Sequence, residues 1–94
     1  DMSKFKQATT PDQLEDGAGI YKIELAEKIL YGCSDNIKKA VTTRLNKLKN
    51  KTGIFKTEHE GVQISYKTTD NMDTAVSERE QLITKAKDKP ASAI

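Results

Sequence analysis

The sequence has few of the residues that build disulfide-bonded or metal-held folds. It contains one cysteine, Cys33, and one histidine, His59. A single cysteine excludes an internal disulfide framework, and one cysteine with one histidine falls short of the ligand set of a structural zinc ion. We therefore expect Cys33 to be a small buried apolar residue rather than a nucleophile. The same scarcity suits a reducing, cytoplasmic place of action.

Aromatic side chains and long apolar runs are also scarce. Aromatic residues make up 5% of the chain and charged residues 32%, so the core of this 94-residue single domain is expected to be mostly aliphatic. No apolar run approaches the ~18 residues of a membrane-spanning helix, and the N-terminus has no signal-peptide core. We expect no association with a membrane, and we expect residues 1–9 and 88–94 to be flexible tails.

Acidic residues are missing from one stretch in the middle of the chain. Residues 36–56 hold seven basic residues and no acid, although the net charge of the whole chain is only +2. A basic segment of that density is typical of a surface that binds a nucleic-acid backbone. It is also typical of a solvated lysine face on a surface helix. The basic residues are Lys38, Lys39, Arg44, Lys47, Lys49, Lys51 and Lys56.

A strong hairpin pattern lies before this basic stretch. Two runs rich in Ile, Leu and Tyr, at residues 19–25 and 28–32, flank a short connection, and such runs predict a β-hairpin. If Ala26 and Glu27 alone form the loop, Tyr21 lies opposite Gly32. A four-residue loop is also allowed, and it leaves this pairing of the two strands unchanged. The glycine then leaves room above the tyrosine ring for a ligand, although an ordinary hairpin with a core tyrosine is the interpretation that the pattern favours. Alternation puts Tyr21, Ile23, Leu25, Lys28 and Leu30 on one face, and Ile20, Lys22, Glu24, Ile29 and Tyr31 on the other.

The rest of the chain alternates helix and strand. Its patterns predict a helical turn at residues 10–14, a helix at 37–50 after the N-cap residues 34–36, and a loop at 50–56. They then predict a half-exposed strand at 60–68 and a helix at 72–86 after the N-cap residues 69–71. This order predicts an α/β (α+β) domain around a small three-stranded antiparallel sheet. Arg79 falls near the centre of the last apolar stripe, where an unpartnered charge is costly to bury. Such a local departure often marks a functional site.

The motifs in this order resemble the GIY-YIG nuclease domain. The resemblance covers residues 18–86 and is carried by Gly19-Ile20-Tyr21, Leu30-Tyr31-Gly32, the basic helix start at residues 35–39 and Glu78-Arg79-Glu80. It implies a GIY-YIG-like fold and a metal-dependent endonuclease that hydrolyses DNA phosphodiester bonds, with RNA as the other candidate substrate. The chain is then also compatible with being the toxic or catalytic part of a larger parent protein. The other partner to expect is an inhibitor protein.

The resemblance assigns roles to individual residues. Tyr21 matches the tyrosine that activates the attacking water or acts as the nucleophile. Glu80, with Glu78 as the alternative, matches the ligand of one divalent ion, Mg²⁺ or Mn²⁺, which takes a carboxylate together with water and phosphate oxygens. Lys28, on the same hairpin face as Tyr21, is expected to supply the positive charge that helps a tyrosine to act as a base.

Two positions depart from the family pattern. Leu30 takes the usual tyrosine position of the second motif, so Tyr31 is either a core residue, which we favour, or is turned into the site by a bulge.

Ala40 stands where the family carries its phosphate-binding arginine. Three explanations stay open: Ala40 is an engineered inactivating substitution, Arg44 one turn later replaces the arginine, or the domain binds nucleic acid without cutting it. The binding surface would then be Lys38, Lys39, Arg44, Lys47 and Lys51.

A last alternative needs no nucleic acid at all. The chain would be an α/β interaction domain whose charges only keep it in solution, and it would show no nucleic-acid binding at physiological salt.

Overall fold

One mixed sheet with a helix on each face makes up the fold. The computed structural model describes residues 5–8, 15–55 and 61–94. The strands run in the order β1-β4-β2-β3-β5, and all neighbours are antiparallel except β3 and β5. The elements are β1 (Lys6–Gln7), β2 (Gly19–Glu24), β3 (Ile29–Ser34), α1 (Ile37–Asn50), a 3₁₀ turn (Gly53–Phe55), β4 (Gln63–Thr68), α2 (Met72–Lys85) and β5 (Ala91–Ala93).

The predicted hairpin forms the centre of the sheet. Tyr21 pairs with Gly32 and Ile23 with Leu30, and the backbone N–H of Leu25 donates to the Lys28 carbonyl at 2.9 Å. The predicted register is therefore confirmed, and the bounds of β2 and β3 leave the four residues 25–28 as the loop. The register was predictable because a slip of one residue would move every apolar side chain of one strand to the opposite face from its partners.

The sheet has five strands, so the prediction of three was incomplete. β2, β3 and β4 are the predicted strands, and β1 and β5 are short edge strands from segments that were expected to be flexible tails. The N–H of Ile29 donates to the Pro90 carbonyl at 2.9 Å, and the N–H of Ile94 donates to the Tyr31 carbonyl at 3.0 Å. The edge of β3 offers backbone groups that need partners, and two or three residues are too few to show a periodic pattern.

Both helices begin at the predicted caps. The side-chain oxygen of Asn36 accepts the N–H of Lys39 at 3.1 Å, and that of Asn71 accepts the N–H of Thr74 at 2.8 Å. Each cap satisfies a donor that has no partner inside its helix. The helical turn predicted at residues 10–14 and the start of the strand predicted at 60–68 lie outside the described residues. Neither helix in the described ranges is long and apolar enough to cross a membrane.

The sheet separates two apolar clusters. The α1 cluster contains Ala8, Tyr21, Ile23, Leu25, Leu30, Ile37, Val41, Phe55, Ile64 and Tyr66. The α2 cluster contains Ile20, Tyr31 and Ala75, with Phe5, Ile29, Cys33, Leu82, Ile83 and Ala91 packed against it. The two faces predicted for the hairpin are confirmed by this division, since Tyr21 and Tyr31 lie in different clusters.

The space over Gly32 is filled by the ring of Tyr21. A Cβ atom at Gly32 would collide with the ring carbons and the hydroxyl of Tyr21. The opening for a ligand that the glycine suggested is therefore absent, because the tyrosine itself lies across it. Only a residue without a side chain permits this approach.

We predict that Gly32→Ala destabilises the domain by about 1–3 kcal/mol, the usual effect of extra volume in a packed site. Urea denaturation followed by circular dichroism measures the change. The control is the same substitution in a Tyr21→Ala background, where the ring is gone and the penalty should largely disappear. An equal penalty in both backgrounds would contradict the packing of the ring against Gly32.

Candidate functional site

Tyr21 and Arg44 meet on the α1 face of the sheet. The Nη2 atom of Arg44 donates a long hydrogen bond of 3.5 Å to the Tyr21 hydroxyl, and the guanidinium carbon lies 5.8 Å from the centre of the tyrosine ring. Tyr21 is 7% exposed and Arg44 is half-buried. The guanidinium thus contacts both the hydroxyl and the face of the ring, an arrangement that favours a cation next to an aromatic side chain.

Ala40 precedes Arg44 by one turn on the same flank of α1. It is partly buried and packs against the α1 cluster. Residues four apart in a helix lie on the same side. Arg44 therefore contacts Tyr21 from the same side of α1 on which Ala40 packs against the apolar cluster. Arg44 is therefore the residue by which α1 places a positive charge beside Tyr21.

Other basic residues of α1 surround this pair unevenly. At 100° per residue, Lys47 shares the flank of Arg44, Lys38 lies on the opposite flank, and Lys39 points outward. All three lysines are exposed, and the helix contains no acidic residue. The predicted nucleic-acid-binding residues are therefore spread around the helix, and Arg44 and Lys47 form one continuous side.

Lys51 ends this side of the helix in an unusual backbone conformation. It has a φ angle of 58° at the C-cap, and its N–H donates to the Leu48 carbonyl at 3.2 Å. Glycine is the usual residue in this left-handed conformation. A lysine there adds an exposed positive charge at the helix end, where the helix dipole favours cations.

Lys28 does not reach Tyr21. It is exposed beside the hairpin loop, opposite Leu25. Leu25 lies four positions along β2 from Tyr21, which corresponds to roughly 13 Å. Arg44, rather than Lys28, is therefore the cation next to the tyrosine.

Tyr31 lies on the other face of the sheet. The pairing of β2 and β3 continues through Tyr31 without a bulge, and the residue is 6% exposed. Its ring contacts that of Phe5 at a centroid distance of 6.3 Å. Burial raises the pKa of the Tyr31 hydroxyl, and the nearby charge of Glu24 raises it further. The structure therefore does not bring the two tyrosines together, and Tyr31 takes the core position that the sequence favoured.

The acidic residues predicted to hold a metal are on α2, across the sheet from Tyr21. The side chain of Glu80 is 62% exposed, and its Oε2 atom lies 3.3 Å from Nε of Arg79. The Oε2 atom of Glu78 lies 2.7 Å from Nζ of Lys67. Arg79, which looked like an unpartnered charge on the apolar stripe, is thus paired with its neighbour. Glu78, Arg79 and Glu80 therefore each lie next to an opposite charge within the protein, and no bound ligand is needed to account for them.

The residues present do not fit a divalent metal shared between Glu80 and a phosphate at Tyr21. No group of three or more His, Cys, Asp or Glu side chains in the described part of the chain is arranged to hold a metal ion. Mg²⁺ prefers several oxygen ligands, whereas Glu80 is a single carboxylate already next to an arginine. The sheet also stands between that carboxylate and the Tyr21 hydroxyl.

Comparisons of the chain with protein-family models, curated proteins and solved structures find no match. The GIY-YIG resemblance therefore rests on the motifs and their order, and it stays a prediction.

Cys33 lies close enough to Arg79 and Glu80 for both charges to change the pKa of its thiol. It is a half-buried free thiol that packs against the α2 cluster. Burial raises the pKa of this thiol, the positive charge of Arg79 lowers it, and the negative charge of Glu80 raises it. A thiol with a raised pKa is a poor nucleophile at neutral pH. Cys33 packs against the apolar cluster as expected, but it is half-buried rather than fully buried.

We predict that Glu80→Gln speeds alkylation of Cys33 by iodoacetamide at pH 8, because removal of the negative charge lowers the pKa and increases the thiolate fraction. Arg79→Gln should slow the reaction for the opposite reason. Each effect is expected to be roughly two- to threefold, since partly exposed charges interact weakly. Mass spectrometry of the alkylated chain gives the rates.

Glu27→Gln, which removes an exposed acid at the hairpin loop, is the matched control and should leave the rate unchanged. The same rate in Glu80→Gln and the parent chain would contradict the placement of Glu80 near Cys33.

Proposed function

We propose that the chain binds the phosphodiester backbone of a nucleic acid and that one phosphate is held at the Tyr21–Arg44 pair. The observation that carries this proposal is the contact of Arg44 with the Tyr21 hydroxyl on a helix without acidic residues. A guanidinium donates two parallel hydrogen bonds to phosphate oxygens. The tyrosine hydroxyl is a further donor for the same phosphate.

Lys47 and Lys51 extend the surface from this anchor toward the end of α1. Both are exposed, and their positive charges attract the neighbouring phosphates and release counterions from the nucleic acid. Surface lysines of this kind contribute affinity that falls with salt and carry no base specificity. DNA is the first substrate to test, and RNA of the same sequence is the comparison.

We predict that Arg44→Gln lowers the affinity for a short DNA duplex by about tenfold at low salt. The loss of one charged phosphate contact should also reduce the slope of log K against log salt by about one. Fluorescence anisotropy over a series of salt concentrations measures both quantities. Tyr21→Phe should weaken binding by a smaller factor, because it removes only the hydroxyl.

Lys38→Gln is the matched control, since it removes one positive charge from the opposite flank of the same helix. It should weaken binding less than Arg44→Gln does. Equal losses in the two variants would show a diffuse lysine surface instead of an anchored phosphate. Absence of binding by the parent chain at physiological salt would leave only the interaction-domain alternative.

Hydrolysis of the bound phosphodiester is a second candidate function, and the same contact favours it. In one route the tyrosine oxygen takes a proton from a water that attacks phosphorus, and the bond from phosphorus to the leaving sugar oxygen breaks. In the other route the tyrosine oxygen attacks phosphorus, the same bond breaks, and water then hydrolyses the tyrosyl phosphodiester. Arg44 would then stabilise the negative charge that develops on the phosphate. In this candidate the chain is a GIY-YIG-type endonuclease. An Mg²⁺ or Mn²⁺ ion with Glu80 as its ligand is tested separately, because the sheet separates this carboxylate from Tyr21 and no step of the candidate passes through it. A parent protein or inhibitor is the accompanying proposal for a partner.

We predict that, if the second candidate is correct, the chain nicks supercoiled plasmid and Tyr21→Phe abolishes nicking with only a small loss of binding. Ala40→Arg should accelerate nicking by placing a second guanidinium on the flank of Arg44. The assay is run with Mg²⁺, with Mn²⁺ and with EDTA, and agarose gels separate the plasmid forms. Glu80→Gln tests whether nicking needs the predicted metal ligand, as Tyr21→Phe tests whether it needs the tyrosine hydroxyl.

The outcomes separate the two candidates. Nicking that requires Tyr21 but survives Glu80→Gln supports hydrolysis and contradicts the proposed metal ligand. No nicking by the parent chain or by Ala40→Arg, with binding intact, leaves backbone binding as the function.

A further inference from the structure

A cavity lies at the C-terminal end of α2, on the face of the sheet opposite to Tyr21. It has a volume of about 430 Å³ and lies between α2, β3 and residues 86–89. Its apolar wall consists of Ile29, Tyr31, Leu82 and Ala86. A concave, mainly apolar site of this size is typical of sites that bind small organic molecules.

The mouth of the cavity is positively charged. Lys85, Lys87 and Lys89 line it together with one acid, Asp88. Lys89 is already engaged, because its Nζ donates to the Leu25 carbonyl at 2.9 Å and lies 3.4 Å from a carboxylate oxygen of Glu24.

Lys85 and Lys87 are exposed, and neither forms an ion pair with another residue in the described ranges. The two lysines that remain at the mouth can therefore turn toward an anion without breaking an ion pair between described residues. Their long side chains keep the charge in water while the stems pack beside the apolar wall.

The hydroxyl of Tyr31 adds a hydrogen-bond donor to the apolar wall. The body of the residue is buried, and none of the hydrogen bonds found between described residues involves its hydroxyl. Burial and the charge of Glu24 raise the pKa of this hydroxyl, so it stays protonated at neutral pH and acts as a donor. Polar groups of this kind orient ligands in otherwise apolar sites.

We propose that this cavity binds a small amphipathic carboxylate. The apolar part of the ligand packs against Ile29 and Leu82, and the carboxylate lies at Lys85 and Lys87. The Tyr31 hydroxyl donates to one of the carboxylate oxygens. The complementary charge at the mouth selects an anion over a cation with the same apolar part, and the site is independent of the nucleic-acid surface on α1.

Decanoate is the probe that tests the proposal. It is titrated into the ¹⁵N-labelled chain below its micelle concentration, and amide chemical shifts are followed by NMR. Saturable shifts are expected at Ile29, Leu82 and Lys85. Decyltrimethylammonium, which has the same tail and the opposite charge, should bind at least tenfold more weakly.

Two variants locate the anion. Lys85→Gln combined with Lys87→Gln should weaken decanoate binding at least fivefold, and Tyr31→Phe should weaken it severalfold without loss of the fold. Lys47→Gln combined with Lys51→Gln removes the same charge from α1 and should leave decanoate binding unchanged.

Three results would overturn the proposal. They are the absence of saturable shifts at the cavity, equal affinity for the cationic probe, and a greater effect of the α1 variant than of the Lys85 and Lys87 variant. The last would mean that decanoate binds the basic helix, and none of the three affects the proposed nucleic-acid binding.

Discussion

The packing of the Tyr21 ring on Gly32 is the contact on which the arrangement of the candidate site depends. It joins the two central strands and fixes which residues of the hairpin face α1. A slip of one residue in the pairing of β2 with β3 would turn one strand over and place Tyr31 on the same face as Tyr21. Since the ring lies across the glycine, its hydroxyl is held where Arg44 reaches it.

The sheet also divides the charges of the molecule. α1 carries basic residues and no acid, whereas α2 carries three acids, Asp73, Glu78 and Glu80, together with the basic residues Arg79 and Lys85. An anion such as a phosphate is therefore attracted to the α1 face without repulsion from neighbouring carboxylates on that helix. The same division keeps the predicted metal ligand away from Tyr21, which is why the geometry supports backbone binding more directly than metal-dependent cleavage.

The edge strand β5 gives the C-terminal segment a structural role. Its parallel pairing with β3 holds residues 86–90 beside the end of α2. This position brings Lys89 to Glu24 and closes one side of the proposed carboxylate site. The same few residues therefore complete the sheet and supply charge at the mouth of the cavity.

The sequence by itself determined the local features of this protein. Alternation of apolar residues predicted the hairpin and its register through Tyr21 and Gly32. The clusters of N-cap residues at 34–36 and 69–71 predicted the helix starts, and the asparagine of each cluster forms the cap. These features depend on neighbours within a few residues, which a pattern records directly. The basic character of α1 was equally visible, because charge is a property of composition.

The tertiary structure alone decided the features that depend on distant residues. An apolar stripe shows that a helix packs, but it does not show on which face of the sheet, so the separation of Glu80 from Tyr21 could not be predicted. The contact of Arg44 with Tyr21 joins residues 23 positions apart in the chain. The edge strands are too short for a periodic pattern. They form because the backbone groups of β3 and β4 require partners.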